Sequence, residues 1–216
     1  VIGAASGTEV VEYNITAPDT KLIKKGASVV EYSGTNSSTG GVDVEAGTLK
    51  VAGSDQLGYG NVSLEGGELE LSGDATVTNA ISSSDDESSI DTGANTVTIS
   101  GDVSGSNEIN KTGSGTLTLT GALSNSGGLD VNAGTLVANG TGSTPVTITA
   151  GRLEGSGSIG SLISNGTIAP GNSIGTLNVS GTVTLNSDSV LVIEVDASGN
   201  SDKIVATGAV TAGGTL

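Results

Sequence analysis

Histidine, cysteine, methionine, tryptophan and phenylalanine are all missing from these 216 residues. Without cysteine there is no disulfide, no thiolate and no cysteine-based zinc site. Without histidine a serine hydroxyl lacks the base that usually takes its proton, and it is a weak nucleophile at neutral pH. Those absences decide how two catalytic-looking motifs are read. Gly171-Asn172-Ser173-Ile174-Gly175 spells G-x-S-x-G, the form of a hydrolase nucleophile elbow, and Gly155-Ser156-Gly157-Ser158-Ile159-Gly160 spells the dinucleotide-loop form G-x-G-x-x-G. Lysine replaces histidine in some hydrolases, but Lys25, Lys50, Lys111 and Lys203 show no motif spacing to Ser173. A dinucleotide loop must open a helix whose N-terminus holds the pyrophosphate. After Gly160 comes SLISNGTIAPGN, β-branched and broken by Gly and Pro. Both motifs therefore read as products of a Gly/Ser/Thr-rich composition, and no catalytic, cofactor-binding or metal-ligating residue is assigned.

No run of 18 apolar residues is present, so no segment is long enough to span a bilayer as a helix. The leading VIGAASGTEVVEYN lacks a basic region followed by an apolar run, and the chain starts without Met, so it reads as an internal fragment. Absence of cysteine also suits a chain that crosses a membrane unfolded and unbridged. Basic residues are scarce: 7 against 23 acidic ones, a net charge of −16 that repels phosphate backbones and excludes nucleic acid as a partner. Most of these carboxylates read as a solvated exterior, which favours solubility.

Glycine is abundant instead, at 36 residues, too many for helices at roughly 1 kcal/mol each relative to Ala. Short alternating runs such as VDV, TLKV, ELEL, TLTLT and TVTL put apolar residues on one face at period 2, and Gly, Asn, Asp and Ser separate them. The runs recur. VDVEAGTLKVAG (42–53) overlays VSLEGGELELSG (62–73) at an offset of 20, and LDVNAGTLVANG (129–140) overlays VTITAGRLEGSG (146–157) at an offset of 17. GGVDVEAGTL from Gly40 returns as GGLDVNAGTL from Gly127, 87 residues later, a distance of about four shorter repeats. The chain is all-β. A sandwich needs large side chains to fill a core about 10 Å thick, and the only aromatics are three Tyr. A propeller needs repeats of about 40 residues with aromatic signatures. The pattern predicts a right-handed parallel β-helix, a solenoid of about ten coils and on the order of 45–50 Å long, with like residues stacked along its interior. Residues 1–216 form one segment: less regular coils over 1–110 with an acidic loop at 82–91, and repeat-rich coils over 111–216. The denser apolar runs TLTL and VLVIEV predict that the half from about Thr112 onward is the more stable.

Several residues are weighed as sites. SDQLGYG after Gly53 has a faint calcium-repeat form, but the position nine residues after Asp55 is Leu64, so it reads as an inter-coil loop. Asp85, Asp86, Glu87 and Asp91 in SSSDDESSID read as an exposed, solvated loop without the cleft an acid/base pair requires. Glu194, Asp196 and Asp202 read as charges at strand ends. Tyr13, Tyr32 and Tyr59 have the surfaces to stack on a sugar, but their scatter reads as ordinary packing.

KTGSGTLTLTGALSNSGGLDVNAGTLVANG (111–140) resembles the autotransporter-associated strand repeat. GRLEGSGSIGSLISNGTIAPGNSIGTLNVSGTVTL (151–185) is similar to the passenger-associated transport repeat of the same family, and the tail from Ser189 resembles the stretch before the autochaperone region. QLGYGNVSLEGGELELSG fits the same style. The resemblance implies a segment of a Gram-negative autotransporter passenger (type V secretion). Such a segment is an adhesive or aggregating stem at the cell surface or released, with virulence-associated roles, that helps its own export by folding coil upon coil. Implied partners are the protein's own C-terminal outer-membrane β-barrel and host or neighbouring-cell surface molecules, with no direct membrane insertion and no cofactor. The strand repeat usually carries an aromatic before its Gly-rich turn; here Asn125 stands there, which implies a less anchored coil. Two other readings share the fold: a polysaccharide-cleaving or tailspike-like enzyme, and the exoprotein of a two-partner secretion system.

Overall fold

Each alternating run has one dry face, and a coil of about 20 residues is too small to bury it alone. In the computed structural model, which describes residues 1–2 and 7–213, the runs are strands of two to four residues, each paired with the strand one coil away. Eleven of them form one continuous sheet from Thr8–Val11 to Val210–Ala212, so the chain returns to this face ten times. At about 4.8 Å per return the rod is about 48 Å long. A seven-stranded sheet, Ala75–Val77 to Val190–Leu191, builds a second face. A third is built by a five-stranded sheet, Leu22–Lys24 to Val103–Gly105, and later in the chain by a three-stranded sheet, Ser158–Ile159 to Lys203–Ala206. Every ladder pairing among the described residues is parallel, which rules out a meander or a sandwich of hairpins.

The internal repeats are stacked neighbours. Val42 lies opposite Val62, Val44 opposite Leu64, Leu49 opposite Leu69 and Val51 opposite Leu71. The second pair obeys the same rule: Leu129 meets Val146, Val131 meets Ile148 and Leu136 meets Leu153. These side chains are all essentially buried, and each contributes about 1.5–3 kcal/mol by leaving water. One interior row on the eleven-stranded face reads Val30, Leu49, Leu69, Ile90, Lys111, Val131, Ile148, Ser164, Leu185, with the lysine standing between hydrocarbon neighbours. Glycine makes the turns stackable. Gly134 has φ +66°, and a Cβ there would lie 2.3 Å from the Gly115 carbonyl oxygen of the preceding coil. Gly47 has φ +64° and the same relation to Gly26.

The structure corrects the sequence reading in four places. The stretch read as an inter-coil loop after Gly53 holds a one-turn helix, Ser54–Leu57; Gln56 Oε1 accepts from the Gly53 N–H at 3.0 Å, and Leu57 is fully buried. Residues 82–91 are not one loop: strands Ile81–Ser83 and Ser89–Asp91 enclose a turn in which only residues 84–87 are exposed. The run from Val190 to Val195 does not add density, because the strand ends at Leu191 and the chain leaves the sheet there. Val190, Val192, Ile193 and Val195 are exposed, and only Leu191 packs on the core. Finally, the 87-residue echo is not a whole number of coils. From Leu22 through Val42, Val62 and Ile81 to Val103 is four coils on one face, and Ile109 begins the next face. Residues 3–6 of the leading stretch and 214–216 of the tail lie outside the described residues.

Candidate functional site

The G-x-S-x-G segment follows strand Thr167–Pro170, where Gly171 leaves the sheet at φ +93° and exchanges two backbone hydrogen bonds with Gly155, at 2.8 and 3.0 Å. What holds it is Asp202. This carboxylate is buried at 4 % exposure, and its Oδ1 accepts from Gly175 N–H at 2.8 Å while Oδ2 accepts from Glu194 N–H at 2.9 Å. Asp202 is therefore a clamp between two loops and not a charge at a strand end. Glu194 is exposed, as expected, and Asp196 closes the tip of the second loop, accepting from Ser198 and Asn200 N–H at 2.8 and 2.9 Å. The Asn200 side-chain amide, 2.7 Å away, together with these backbone donors, holds Asp196 below the usual carboxylate range. The extra residues of this coil, 27 between Val183 and Val210 against 16–21 elsewhere on the same face, build the second loop. A groove of about 410 Å³ results, bearing Arg152, Glu154, Asn172, Ser173 and Glu194. Arg152 is paired with Glu154, and Ser173 is exposed beside carboxylates. The G-x-G-x-x-G segment is followed by strand Leu162–Ser164, with no helix to hold a pyrophosphate.

Two lysines that the sequence reading left unassigned are buried. Lys24, 0 % exposed, donates to the carbonyl oxygens of Lys25, Gly26 and Ala46 at 3.1, 2.6 and 2.7 Å. Lys111, 1 % exposed, donates to Thr92 Oγ1, Thr112 O and Gly113 O at 2.9, 2.8 and 2.9 Å. Loss of water pushes Lys111 down to about 8 and Lys24 down in the same direction; the nearby Asp91 charge partly opposes the shift at Lys111. The signal was in the strand parity. In Leu22-Ile23-Lys24 and Ile109-Asn110-Lys111 the lysine occupies the same inward register as the apolar residue two before it.

The remaining candidates are dispersed. Asp85 accepts from Glu87 N–H, Asp91 from Gly93 N–H, and Asp86 from Asn107 Nδ2 and Glu108 N–H, so three of these acids brace turns while Glu87 lies exposed. Glu108 was missed: burial, and then the charges of Asp130 and Asp86 on adjoining coils, raise its carboxyl above the usual range. No group of three or more acidic side chains able to hold a metal occurs among the described residues. Tyr32 is a core residue whose hydroxyl donates to Thr35 O at 2.9 Å, and its ring meets that of Tyr13 at 6.2 Å. Tyr59 stands 78 % exposed beside the one-turn helix. Asn125 does not loosen its coil: it is fully buried and its Oδ1 receives Gly127 and Gly128 N–H at 2.8 and 3.1 Å, bracing the turn an aromatic was expected to anchor.

The family model of the passenger-associated-transport-repeat matches twice, over residues 22–51 and 109–138. The separation is the 87 residues of the long echo. Each match is built alike: the first strand pairs with the third and the second with the fourth, Leu22–Lys24 with Val42–Val44 and Val29–Tyr32 with Thr48–Val51 in one copy. In the other, Ile109–Thr112 pairs with Leu129–Val131 and Thr116–Leu119 with Thr135–Ala138. The second match falls on the stretch that resembles the strand repeat, whereas 151–185, where the transport repeat was expected, is not matched. No curated protein and no solved structure matches the chain. The chain thus carries two matches to the passenger-associated-transport-repeat, stacked within one solenoid.

Proposed function

We propose that this segment is the stem of a secreted or surface-displayed autotransporter passenger, that it presents an adhesive or aggregating surface, and that it aids its own export. In this reading it is not an enzyme, and its partners are the protein's own outer-membrane β-barrel and molecules of other cell surfaces. One observation carries the reading: the unbroken eleven-stranded parallel sheet, in which each coil supplies the hydrogen-bonding edge and the apolar row for the next. A coil that folds outside the cell is a template for its successor and opposes back-sliding of the chain.

The test is to place the segment ahead of an outer-membrane barrel and follow its exposure to protease on intact cells. Wild type reaches the surface, and Gly134→Ala, which obstructs turn stacking, reaches it more slowly. A chain retained in the periplasm overturns the stem assignment, and equal rates for both forms overturn the export role. Release of reducing ends from acidic glycans by the purified segment would overturn the non-enzymatic reading.

A further inference from the structure

The sequence holds two Asn-Gly pairs in nearly the same local context, Ala138-Asn139-Gly140-Thr141 and Ser164-Asn165-Gly166-Thr167. Before a glycine, the side-chain carbonyl of asparagine is open to the next main-chain nitrogen, because no Cβ obstructs the approach. In the unfolded chain the two pairs are near equivalents, so only the fold distinguishes them.

It does so at both reacting atoms. Gly140 is buried, and its N–H donates to Leu119 O on the preceding coil at 2.8 Å. Asn139 Oδ1 is held twice, accepting from Ser156 N–H at 3.1 Å and from Asn172 Nδ2 at 3.0 Å. The Gly166 N–H makes no bond to another coil: it donates to Ser164 Oγ at 3.1 Å, within the bend that joins strands Leu162–Ser164 and Thr167–Pro170. Asn165 is exposed, and its Oδ1 accepts from Asn186 Nδ2 at 2.8 Å, a donor that polarises the side-chain carbonyl toward attack. Freeing a buried N–H from its acceptor is costly, and the reaction at Gly166 escapes that cost.

We infer that Asn165 is a modification site of the folded rod, cyclising spontaneously with Gly166, and that the fold protects Asn139 from the same reaction. The Gly166 nitrogen gives its proton to water or hydroxide and bonds to Asn165 Cγ. The Cγ–Nδ2 bond breaks, and the side-chain nitrogen leaves as ammonia. Water then opens the succinimide ring at either carbonyl. Opening at the side-chain carbonyl leaves aspartate; opening at the main-chain carbonyl leaves isoaspartate, with an extra carbon in the backbone of the bend. Either product places a carboxylate beside Asn186 on a rod whose net charge is already −16. The site is independent of the passenger reading, since it requires only the folded segment.

The purified 216-residue chain is incubated at mildly alkaline pH, both folded and in urea, and then digested with trypsin. Cleavage after Lys111, Arg152 and Lys203 places Asn139 in peptide 112–152 and Asn165 in peptide 153–203. Fragmentation mass spectrometry reads the gain of about 1 Da at each asparagine, and an isoaspartyl methyltransferase reads the isomerised product. In the folded chain Asn165 is expected to convert about tenfold faster than Asn139, or more, with isoaspartate among the products. In urea the two rates are expected to converge. No conversion at Asn165 in the folded chain, equal folded rates at the two sites, or a difference that persists in urea would each overturn the assignment.

Discussion

Lys24 and Lys111 do the same job 87 residues apart and on different faces of the rod: each is the third residue of its strand, turns inward, and donates to the carbonyl of the glycine two residues on. Those glycines, Gly26 and Gly113, share a left-handed backbone at φ +76° and +75°. The lysine is therefore part of the turn, an internal brace for a K-x-G corner that presents bare carbonyl oxygens to the core.

Removing the brace has a predictable cost. Lys111→Ala leaves buried oxygens without donors and opens a cavity between Ile90 and Val131, and is expected to destabilise by about 2–4 kcal/mol in denaturant unfolding. Lys111→Met, which keeps the volume, costs less. The pH dependence has a definite sign. The folded-state value of about 8 lies below the ordinary 10.5, so between these limits the unfolded chain binds the extra proton. Stability therefore rises with pH through that window, by up to about 3 kcal/mol from Lys111, and Lys111→Met removes that contribution while the one of like sign from Lys24 remains. Tyr32, held above its usual value of 10 chiefly by burial, acts oppositely only above that pH.

Asp202→Ala releases both Gly175 and Glu194 N–H at once. A loss of about 1–3 kcal/mol is expected, and hydrogen exchange is expected to quicken at 171–175 and 192–201 while the ladder around Leu117 stays protected. Uniform loss of protection along the rod would contradict a local clamp.

At Glu108 the repulsion runs across coils, from Asp130 and Asp86. A carboxyl raised in the folded state favours folding below its unfolded value and loses that contribution as pH rises through the folded value. At neutral pH the charge is a burden. Glu108→Gln is therefore expected to stabilise by about 0.5–1 kcal/mol at pH 7. The gain vanishes in acid, and thermal unfolding at the two pH values reads it.

Gly134→Ala is expected to cost more than the roughly 1 kcal/mol of an ordinary left-handed glycine, because the new Cβ also meets the Gly115 oxygen. Gly93→Ala, where the nearest atom is the Asn95 side-chain amide at 3.3 Å, provides the comparison at φ +54°. Chemical denaturation of the two variants separates backbone strain from collision.

Period-2 alternation and the 20- and 17-residue offsets were enough to read the stacked rows Val42/Val62 and Leu136/Leu153, because a solenoid sets like upon like. Residues whose role depends on a neighbouring coil were harder to read. Asp202 looks like any strand-end acid until Gly175, 27 positions earlier, is brought against it. Tyr32 and Tyr59 are the same residue type in similar Gly-rich surroundings, yet one fills the core and the other faces solvent. The helix at Ser54 decides that difference, and four residues are too few to carry a periodic signal.

Because the two matched repeats occupy different faces, the three sides of the rod are interchangeable as far as the repeat is concerned. Chain can be gained or lost in steps of one side as well as whole coils, with the interior still in register. Each such step rotates everything beyond it about the long axis by a third of a revolution. Length and azimuth are thereby set separately, and a surface feature such as the exposed Tyr59 is aimed by how many sides precede it.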